Sequence, residues 1–266
     1  MPTRETAPLG APCWNDLPSS DTGQVRAFYG GLFGWTFEVS DGGAGDYINC
    51  LVNGSPVAGI IQKAPDSEAS ESWITYFASA DAQVTADLAD ESGGQSAVPP
   101  MEVGSMGTVA MLVDPGGATA GVWQAGQHNG FTLLGEPGTP VWHELITRNY
   151  SASVLFYETV FGWTTTVESD TAEFQYTTAD FNGTPLAGIM DGTIDLSEGT
   201  SARWDVYFGT EDVDSTVALA ESLGGRVIDP PEDSPYGRLA MLADPTGARF
   251  RIMTPSEWQH PSPEAS

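Results

Sequence analysis

One imidazole and two carboxylates are the side chains of this sequence best placed to carry out acid–base chemistry. His143 and Glu144 are adjacent in a short apolar run, and Asp205 lies in another such run. Histidine can act as a general base near neutral pH, and a carboxylate among apolar groups has a raised pKa that suits it to proton transfer. The same residue types bind divalent metals. His143, Glu144 and Asp205 are therefore the candidate catalytic residues.

The stretch around His143 repeats an earlier stretch of the chain. The residues that recur at a constant offset of 128 positions are Trp14, Leu17, Phe28-Tyr29 and Gly34-Trp35, which return as Trp142, Leu145, Phe156-Tyr157 and Gly162-Trp163. A fixed offset of this kind indicates an internal duplication. The first copy has Asn15 where the second has His143, so any histidine chemistry belongs to the second half.

Each half contains the pattern strand-helix-strand-strand-strand twice. In the first unit, Asp21 caps a helix that ends at Gly34, and Asn53-Gly54 is a strong hairpin signal. The edge strands after the second and fourth helices are predicted as short runs, 95–98 and 226–228. We predict an α+β fold of four βαβββ units. Its domains span residues 11–125 and 141–254, with a linker at 126–140 and a flexible tail at 255–266.

Four motifs occur in both halves and cover nearly the whole chain. They are a helix ending in Phe-Tyr-x3-Phe-Gly-Trp, an Asn-Gly hairpin, Gly-Gly after the second helix, and Asp-Pro-x-Gly-Ala before the last strand. Together they resemble the vicinal oxygen chelate superfamily of glyoxalases, bleomycin-resistance proteins and extradiol dioxygenases. The tandem arrangement looks similar to actinobacterial two-domain glyoxalase-like proteins that are often called hydroxylases. The resemblance implies two half-open barrels, each of which holds a ligand on its concave face.

The resemblance also implies a divalent metal, bound by His, Glu or Gln on the concave face. The positions that align with the metal ligands are Trp14, Gly59, Ile74 and Gly121 in the first half, and Trp142, Gly188, Asp205 and Arg251 in the second. Only Asp205 could bind a metal, and Arg251 would repel one. We therefore expect no metal cofactor, although a strand register shifted by one residue would leave a divalent metal open. Asp205 and Arg251 are predicted to form an ion pair that could hold a polar ligand group.

Strand alternation places Trp142 and Glu144 on one face and His143 on the other. With Trp142 facing the cavity, His143 is a structural residue, whereas in the shifted register His143 becomes the general base. Trp14 and Trp142 are either core residues or walls that stack against a flat ligand, with Trp123 as a further wall. The candidate ligand-binding residues are Trp14, Asp16, Trp123, Trp142 and Arg251.

The charge of the chain excludes several partner classes. Nine Lys+Arg against 36 Asp+Glu give a net charge of −27, which disfavours nucleic acid and anionic membranes. The sequence has no apolar run of the roughly 18 residues needed to cross a bilayer and no signal-peptide pattern. We expect a cytoplasmic protein, and because two fused halves can supply each other's interface, a monomer rather than a homodimer. His128 in the linker is expected to be solvated.

Two functions follow from these observations. The first is a metal-independent protein that binds a small molecule, with an aromatic compound as one option, in the concave face of one or both domains. The alternative is a glyoxalase-like lyase, isomerase or hydroxylase that acts in the second domain through His143, Glu144 and Asp205.

Overall fold

The computed structural model describes residues 5–40, 47–64, 67, 70–193, 196–197 and 199–254, so the predicted tail at 255–266 lies outside the described residues. The elements of the first half are β1 (Pro12–Ser19), α1 (Thr22–Phe33), β2 (Thr36–Ser40), β3 (Tyr47–Val52), β4 (Ser55–Gln62), β5 (Ile74–Ser79), α2 (Ala82–Glu91), β6 (Gln95–Val103), β7 (Gly107–Val113) and β8 (Thr119–Ala125). Those of the second half are β9 (Pro140–Thr147), α3 (Tyr150–Phe161), β10 (Thr164–Asp170), β11 (Gln175–Phe181), β12 (Thr184–Asp191), β13 (Arg203–Gly209), α4 (Val213–Ser222), β14 (Arg226–Ser234), β15 (Gly237–Ala243) and β16 (Arg249–Met253).

Each half forms one eight-stranded sheet with the same strand order. The strand order of the first sheet is β2-β3-β4-β1-β5-β8-β7-β6. The equivalent order in the second sheet is β10-β11-β12-β9-β13-β16-β15-β14. The first strands of the two units, β1 and β5, pair antiparallel at the centre of the first sheet, and each pairs in parallel with the last strand of its own unit. Each sheet stays open at both edges. The predicted fold of four βαβββ units in two half-open barrels is confirmed.

The structure differs from the sequence prediction at the outer strands. β6 and β14 each contain nine residues and continue through Pro99-Pro100 and Pro230-Pro231, where the prediction ended them early. Both are edge strands, and their pairing is interrupted by a shift in register at the prolines. Proline is tolerated at such positions because it removes no hydrogen bond that the sheet needs. β15 pairs with both β14 and β16, as the βαβββ pattern requires.

The hydrophobic cores do not follow the division into two sheets. One core combines the first and fourth units, with Tyr29 of α1 and Val217 of α4 among its residues. The other combines the second and third units, with Ala86 of α2 and Tyr157 of α3. Accordingly α1 packs against α4 and α2 against α3. Each half of the chain therefore supplies part of both cores.

Reciprocal contacts of two tryptophans join the halves. The indole Nε1 of Trp35 donates to the Gly138 carbonyl at 2.7 Å, and that of Trp163 donates to the Gly10 carbonyl at 2.7 Å. The two glycines are 128 positions apart, like the two tryptophans. Gly10 has a φ of +78°, and a Cβ there would lie 2.2 Å from the Phe161 carbonyl oxygen. The Gly-Trp motif thus anchors the start of the opposite half.

A buried polar pair lies where the central strands of the two halves meet. The Asn15 amide Nδ2 and the His143 Nε2 are 3.0 Å apart, and both residues are buried. His143 is aligned with Ala187 and Val206 on the neighbouring strands, and these residues belong to the two shared cores. Of the two registers left open by the sequence, the structure has the one in which His143 faces the interface between the halves.

Candidate functional site

The face of each sheet that points away from the helices carries the residues that sequence analysis aligned with metal ligands. We call this face of the first sheet the first cup and that of the second sheet the second cup. Residues aligned on neighbouring strands share a face. In the first cup Trp14 is aligned with Tyr76, and Tyr76 with Gly121. In the second cup Trp142 is aligned with Tyr207, and Tyr207 with Arg251.

A buried carboxylate lies at the centre of each cup. In the first cup Asp16 Oδ1 accepts hydrogen bonds from the Trp14 indole at 3.0 Å and from the Tyr47 hydroxyl at 2.7 Å. Tyr76 is a third hydrogen-bonding partner of the Asp16 carboxylate. Aromatic donors therefore take the place of water around this carboxylate.

Glu144 occupies the corresponding position in the second cup. The hydroxyl of Tyr207 donates to Glu144 Oε2, and Tyr176 is a second hydrogen-bonding partner. Tyr176 is also hydrogen-bonded to Trp142. The arrangement of one carboxylate, one tryptophan and two tyrosines is thus duplicated with the chain.

The four tyrosines were not among the residues predicted from the sequence, although the duplication contains a signal for them. Tyr47 and Tyr176 are 129 positions apart, the same offset as the two Asn-Gly hairpins. Tyr76 and Tyr207 are 131 positions apart, the same offset as the two Gly-Gly pairs. A search for every residue repeated at these offsets would have found both pairs.

Glycine is required beside each carboxylate cluster. A Cβ at Gly59 would lie 2.0 Å from the Tyr47 hydroxyl and 2.2 Å from Asp16 Oδ1. A Cβ at Gly188 would lie 2.3 Å from the Tyr176 hydroxyl. At Gly59 and Gly188, two of the positions that align with metal ligands, the space is therefore filled by a tyrosine hydroxyl of the neighbouring strand.

Burial raises the pKa of both carboxyl groups. For Asp16 the loss of solvent outweighs the hydrogen bonds from Tyr47, Trp14 and Tyr76, and its pKa rises from 3.8 to about 6. For Glu144 burial again dominates and raises the pKa, while the charge of Arg251 and the hydrogen bond from Tyr207 act in the opposite direction. Both groups favour the neutral form more than an exposed carboxyl does.

The raised pKa of Asp16 predicts a specific dependence of stability on pH. Between pH 3.8 and about 6 the folded state binds more protons at Asp16 than the unfolded state, so the free energy of unfolding falls as pH rises through this window. The full effect is on the order of 3 kcal/mol. Asp16→Asn keeps an oxygen acceptor but cannot ionise. Its free energy of unfolding should therefore not show this decrease as pH rises.

Urea unfolding of both proteins at pH 4, 5, 6 and 7 measures the difference. Glu144 is present in both proteins, so its contribution cancels in the comparison. Parallel stability curves for the wild type and Asp16→Asn would contradict the assignment of this pH dependence to Asp16.

The two cups differ at two positions near the carboxylate. Where the first cup has Ile74 and Gly121, the second has Asp205 and Arg251. Arg251 Nε lies 3.2 Å from Asp205 Oδ2, so the ion pair hypothesised from the sequence is present. Arg203 Nε lies 3.0 Å from the other oxygen, Asp205 Oδ1. The second cup therefore contains a cluster of charges that the first cup lacks.

The segment that was predicted as a linker packs over the first cup. The His128 ring lies 4.4 Å from the Trp14 ring, edge to face, and the Phe131 ring lies 5.4 Å from it. The Trp123 indole donates to the His128 carbonyl at 2.8 Å. His128 is thus half-buried rather than solvated, and burial lowers its pKa. The residues at the corresponding place after the second sheet, about 256–261, lie outside the described residues.

A small cavity remains beside this segment. Its volume is about 190 Å³, and Leu9, Cys13, Ala78, Trp123 and Asn129 are among the residues that line it. Trp123 therefore contacts both this cavity and His128, whereas Trp14 lies beneath the segment and is 3% exposed.

Two partly exposed aromatic side chains lie at the rim of the second cup. Phe174 and Tyr236 are each 41% exposed. The Phe174 ring is stacked 5.7 Å from the Tyr176 ring, and the Tyr236 ring lies 6.2 Å from it. A flat molecule could extend this row of rings.

The structure brings together most, but not all, of the residues singled out from the sequence. Glu144, Asp205, Arg251 and Trp142 share the second cup, because Glu144 is aligned with Asp205 and Trp142 belongs to the same aromatic cluster as Tyr207. Trp14, Asp16 and Trp123 belong to the first half. His143 faces the opposite side of the sheet from Glu144 and Asp205, so the three candidate catalytic residues do not converge.

The side chains in the cups do not fit a divalent metal. Over the described part of the chain, no group of three or more His, Cys, Asp or Glu side chains is arranged to hold a metal ion. In the second cup both oxygens of Asp205 already contact guanidinium groups, and a cation placed there would be repelled by Arg203 and Arg251.

No helix in the described ranges is long and apolar enough to cross a membrane.

Comparisons with known proteins agree with this architecture. A model of the Glyoxalase/Bleomycin resistance protein/Dioxygenase superfamily matches residues 139–252. A protein of Mycobacterium tuberculosis (strain CDC 1551 / Oshkosh), provisionally named glyoxylase CFP32, is 36% identical over 264 residues, which cover 97% of this chain and 100% of that protein. The anthracycline biosynthesis protein DnrV of Streptomyces peucetius is 35% identical over 260 residues, which cover 92% of this chain and 93% of DnrV.

A solved structure shares the fold at low sequence identity. The Mn(II)-bound glyoxalase from Novosphingobium aromaticivorans superposes with a TM-score of 0.65 and 15% identity over 93% of this chain and 83% of that chain. Its manganese shows that a related fold can hold a metal, while the donor set of the present chain differs as described above.

Proposed function

Because the chain belongs to the glyoxalase/bleomycin resistance protein/dioxygenase superfamily, we propose that it binds a small aromatic molecule at the second cup without a metal ion. The observation that carries this proposal is the difference between two cups of duplicated origin. Ile74 and Gly121 in one are replaced by Asp205 and Arg251 in the other.

Buried charges such as those of Asp205 and Arg251 are costly to a folded protein. Removing two charges from water costs several kcal/mol per ion before their attraction is counted, and a buried ion pair often stabilises a protein no better than apolar residues do. The first half forms the same sheet with Ile74 and Gly121 at these positions. A sheet of this topology can therefore form without charged residues at these two positions, which supports a role for Asp205 and Arg251 in ligand binding.

The two cups differ in the aromatic side chains at their surfaces, and this difference favours an aromatic ligand in the second cup. His128 and Phe131 lie against Trp14 in the first cup. The second cup presents Phe174 and Tyr236 at its rim, and partly exposed aromatic side chains are common anchors for flat ligands. One relative is named for anthracycline biosynthesis, and anthracyclines contain planar fused rings.

A second candidate function is proton-transfer chemistry of the lyase or isomerase type at Glu144. Its support is a buried carboxyl group with a raised pKa that lies beside the positive charge of Arg251. Glu144 could accept a proton from a bound carbonyl compound, and Arg251 could stabilise the negative oxygen that develops. The same carboxylate cluster recurs as Asp16 beneath the covering segment of the first cup, which favours binding over catalysis.

Calorimetric titration with planar aromatic compounds tests the binding proposal. Tyr236→Ala should weaken binding about five-fold, because an aromatic contact contributes roughly 1 kcal/mol. Met106→Ala is the matched control, since Met106 occupies the corresponding position in the first half and is 44% exposed. Equal losses in both variants, or binding by neither the wild type nor the variants, would refute a site at the second cup. Turnover that is lost in Glu144→Gln while binding persists would establish the second candidate.

Metal removal provides an independent prediction. Purified protein is expected to contain far less than one equivalent of manganese, iron, nickel or zinc by mass spectrometry of the elements. Dialysis against a chelator should leave the melting temperature unchanged, because a bound metal would stabilise the folded state by mass action. A stoichiometric metal, or a lower melting temperature after dialysis, would contradict the metal-free proposal.

A further inference from the structure

Two arginines of the second cup converge on a single aspartate. The chain has only nine Lys+Arg against 36 Asp+Glu, yet Arg203 and Arg251 both contact Asp205. The Asp205 side chain is 4% exposed, that of Arg251 11% and that of Arg203 25%. In a strongly acidic protein, this is a local concentration of positive charge in a largely buried position.

Most of the hydrogen-bonding capacity of the two guanidinium groups is unused. Each group has five N–H donors, and each contributes its Nε–H to Asp205. Within the described ranges, the terminal nitrogens of Arg203 and Arg251 have no hydrogen-bond partner. Arg251 also lies over the Tyr207 ring, with its Cζ 5.5 Å from the ring centre. Because these terminal nitrogens can still donate hydrogen bonds, the arrangement suits an acceptor that arrives with a ligand.

We propose that the second cup recognises an aromatic carboxylate, whose two oxygens are bound by the terminal nitrogens of Arg251 and Arg203. This inference rests on the proposed binding function of the second cup. Planar guanidinium groups bind carboxylates through paired hydrogen bonds, which a lysine ammonium cannot reproduce. The aromatic body of the ligand then lies along the rim at Phe174 and Tyr236.

The charge balance of the cup favours an anion over a neutral ligand. Asp205 offsets one of the two guanidinium charges. The remaining neighbour is Glu144, and its burial raises its pKa and so favours the uncharged form. Arg203, Arg251 and Asp205 together carry one excess positive charge, which a monoanion neutralises.

The first cup lacks every part of this arrangement. The residue that corresponds to Arg251 is Gly121, and the one that corresponds to Asp205 is Ile74. The same offset of 131 positions that relates Asp205 to Ile74 places Ser72 at the position of Arg203. The inferred selectivity is therefore a property of the second half alone, and a variant that copies the first cup should lose it.

Calorimetry with 2-naphthoate and its neutral counterpart 2-naphthamide tests the inference on the full chain. The wild type is expected to bind 2-naphthoate at least ten-fold more tightly than 2-naphthamide. Arg251→Gln should reduce the affinity for 2-naphthoate to that for 2-naphthamide. Arg249→Gln is the matched control, because Arg249 is an exposed residue of the same strand, and it should retain the ten-fold preference.

The outcomes separate the inference from the proposed function. Equal affinities for the two probes in the wild type, with Tyr236→Ala weakening both, would overturn recognition of a carboxylate but retain binding at the second cup. Binding of neither probe would overturn both. If Arg251→Gln does not fold, the double variant Asp205→Ile/Arg251→Gly, which copies the first cup, takes its place. Retention of the ten-fold preference in that variant would also overturn the inference.

Discussion

Asp205→Ala is expected to lower the free energy of unfolding by about 3–5 kcal/mol. The substitution removes the only carboxylate that contacts both Arg203 and Arg251 in the described structure, and it leaves two guanidinium charges with reduced compensation in a largely buried position. Breaking a buried pair by removing one partner costs this much because the remaining charge stays out of water. Urea unfolding at pH 7, with the midpoint and the slope fitted together, measures the change.

The double variant Asp205→Ile/Arg251→Gly is the control for this prediction. It gives the second cup the pair of residues that the first cup already has, and it removes one positive and one negative charge together. We expect it to recover at least half of the stability lost in Asp205→Ala. A loss below 1 kcal/mol in Asp205→Ala, or a double variant less stable than the single one, would show that the cluster is solvated and energetically unimportant.

Separating the halves is expected to abolish folding of each. Residues 1–134 contain all eight strands of the first sheet, but their cores are completed by Phe208 and Phe250 on one side and by Tyr157 and Trp204 on the other. Losing such partners exposes many large aromatic side chains, and deletion of even one typically costs 3–5 kcal/mol. The isolated half should therefore lack a near-ultraviolet circular dichroism signal and a cooperative urea transition.

Mixing the two halves provides the control. Residues 135–266 added to residues 1–134 in equal amounts should restore the near-ultraviolet signal, because the reciprocal contacts of Trp35 and Trp163 can form between separate chains. The same shared cores lead us to propose that the full chain is a monomer, which sedimentation measures directly. A cooperative transition in either half alone would contradict the dependence of each half on the other.

The sequence predicted the fold because its signals are local and repeated. The helix caps, the Asn-Gly hairpins and the constant offset between Trp14 and Trp142 specify the units and their order. Periodicity shows which face of an element is buried but not which element covers it. For this reason the pairing of α1 with α4 could not be read from the sequence.

The site was predicted in part, for equally physical reasons. The pair of Asp205 and Arg251 was predicted because both residues occupy positions of the second half that align with metal ligands. The position of His143 stayed open because a shift of one residue exchanges the two faces of a strand. The contact of His128 with Trp14 was missed because a segment rich in glycine and proline carries no periodic signal for burial.

The pairing of the first unit with the fourth has a consequence for synthesis on the ribosome. Leu17 and Phe28 near the start of the chain pack with Phe250 and Ile252 near its end. The core of the second and third units can close once Trp204 has emerged, but the other core must wait for nearly the whole chain. Contacts so distant in sequence form late, and apolar surface exposed meanwhile favours aggregation. The first unit is therefore the segment most dependent on protection during translation.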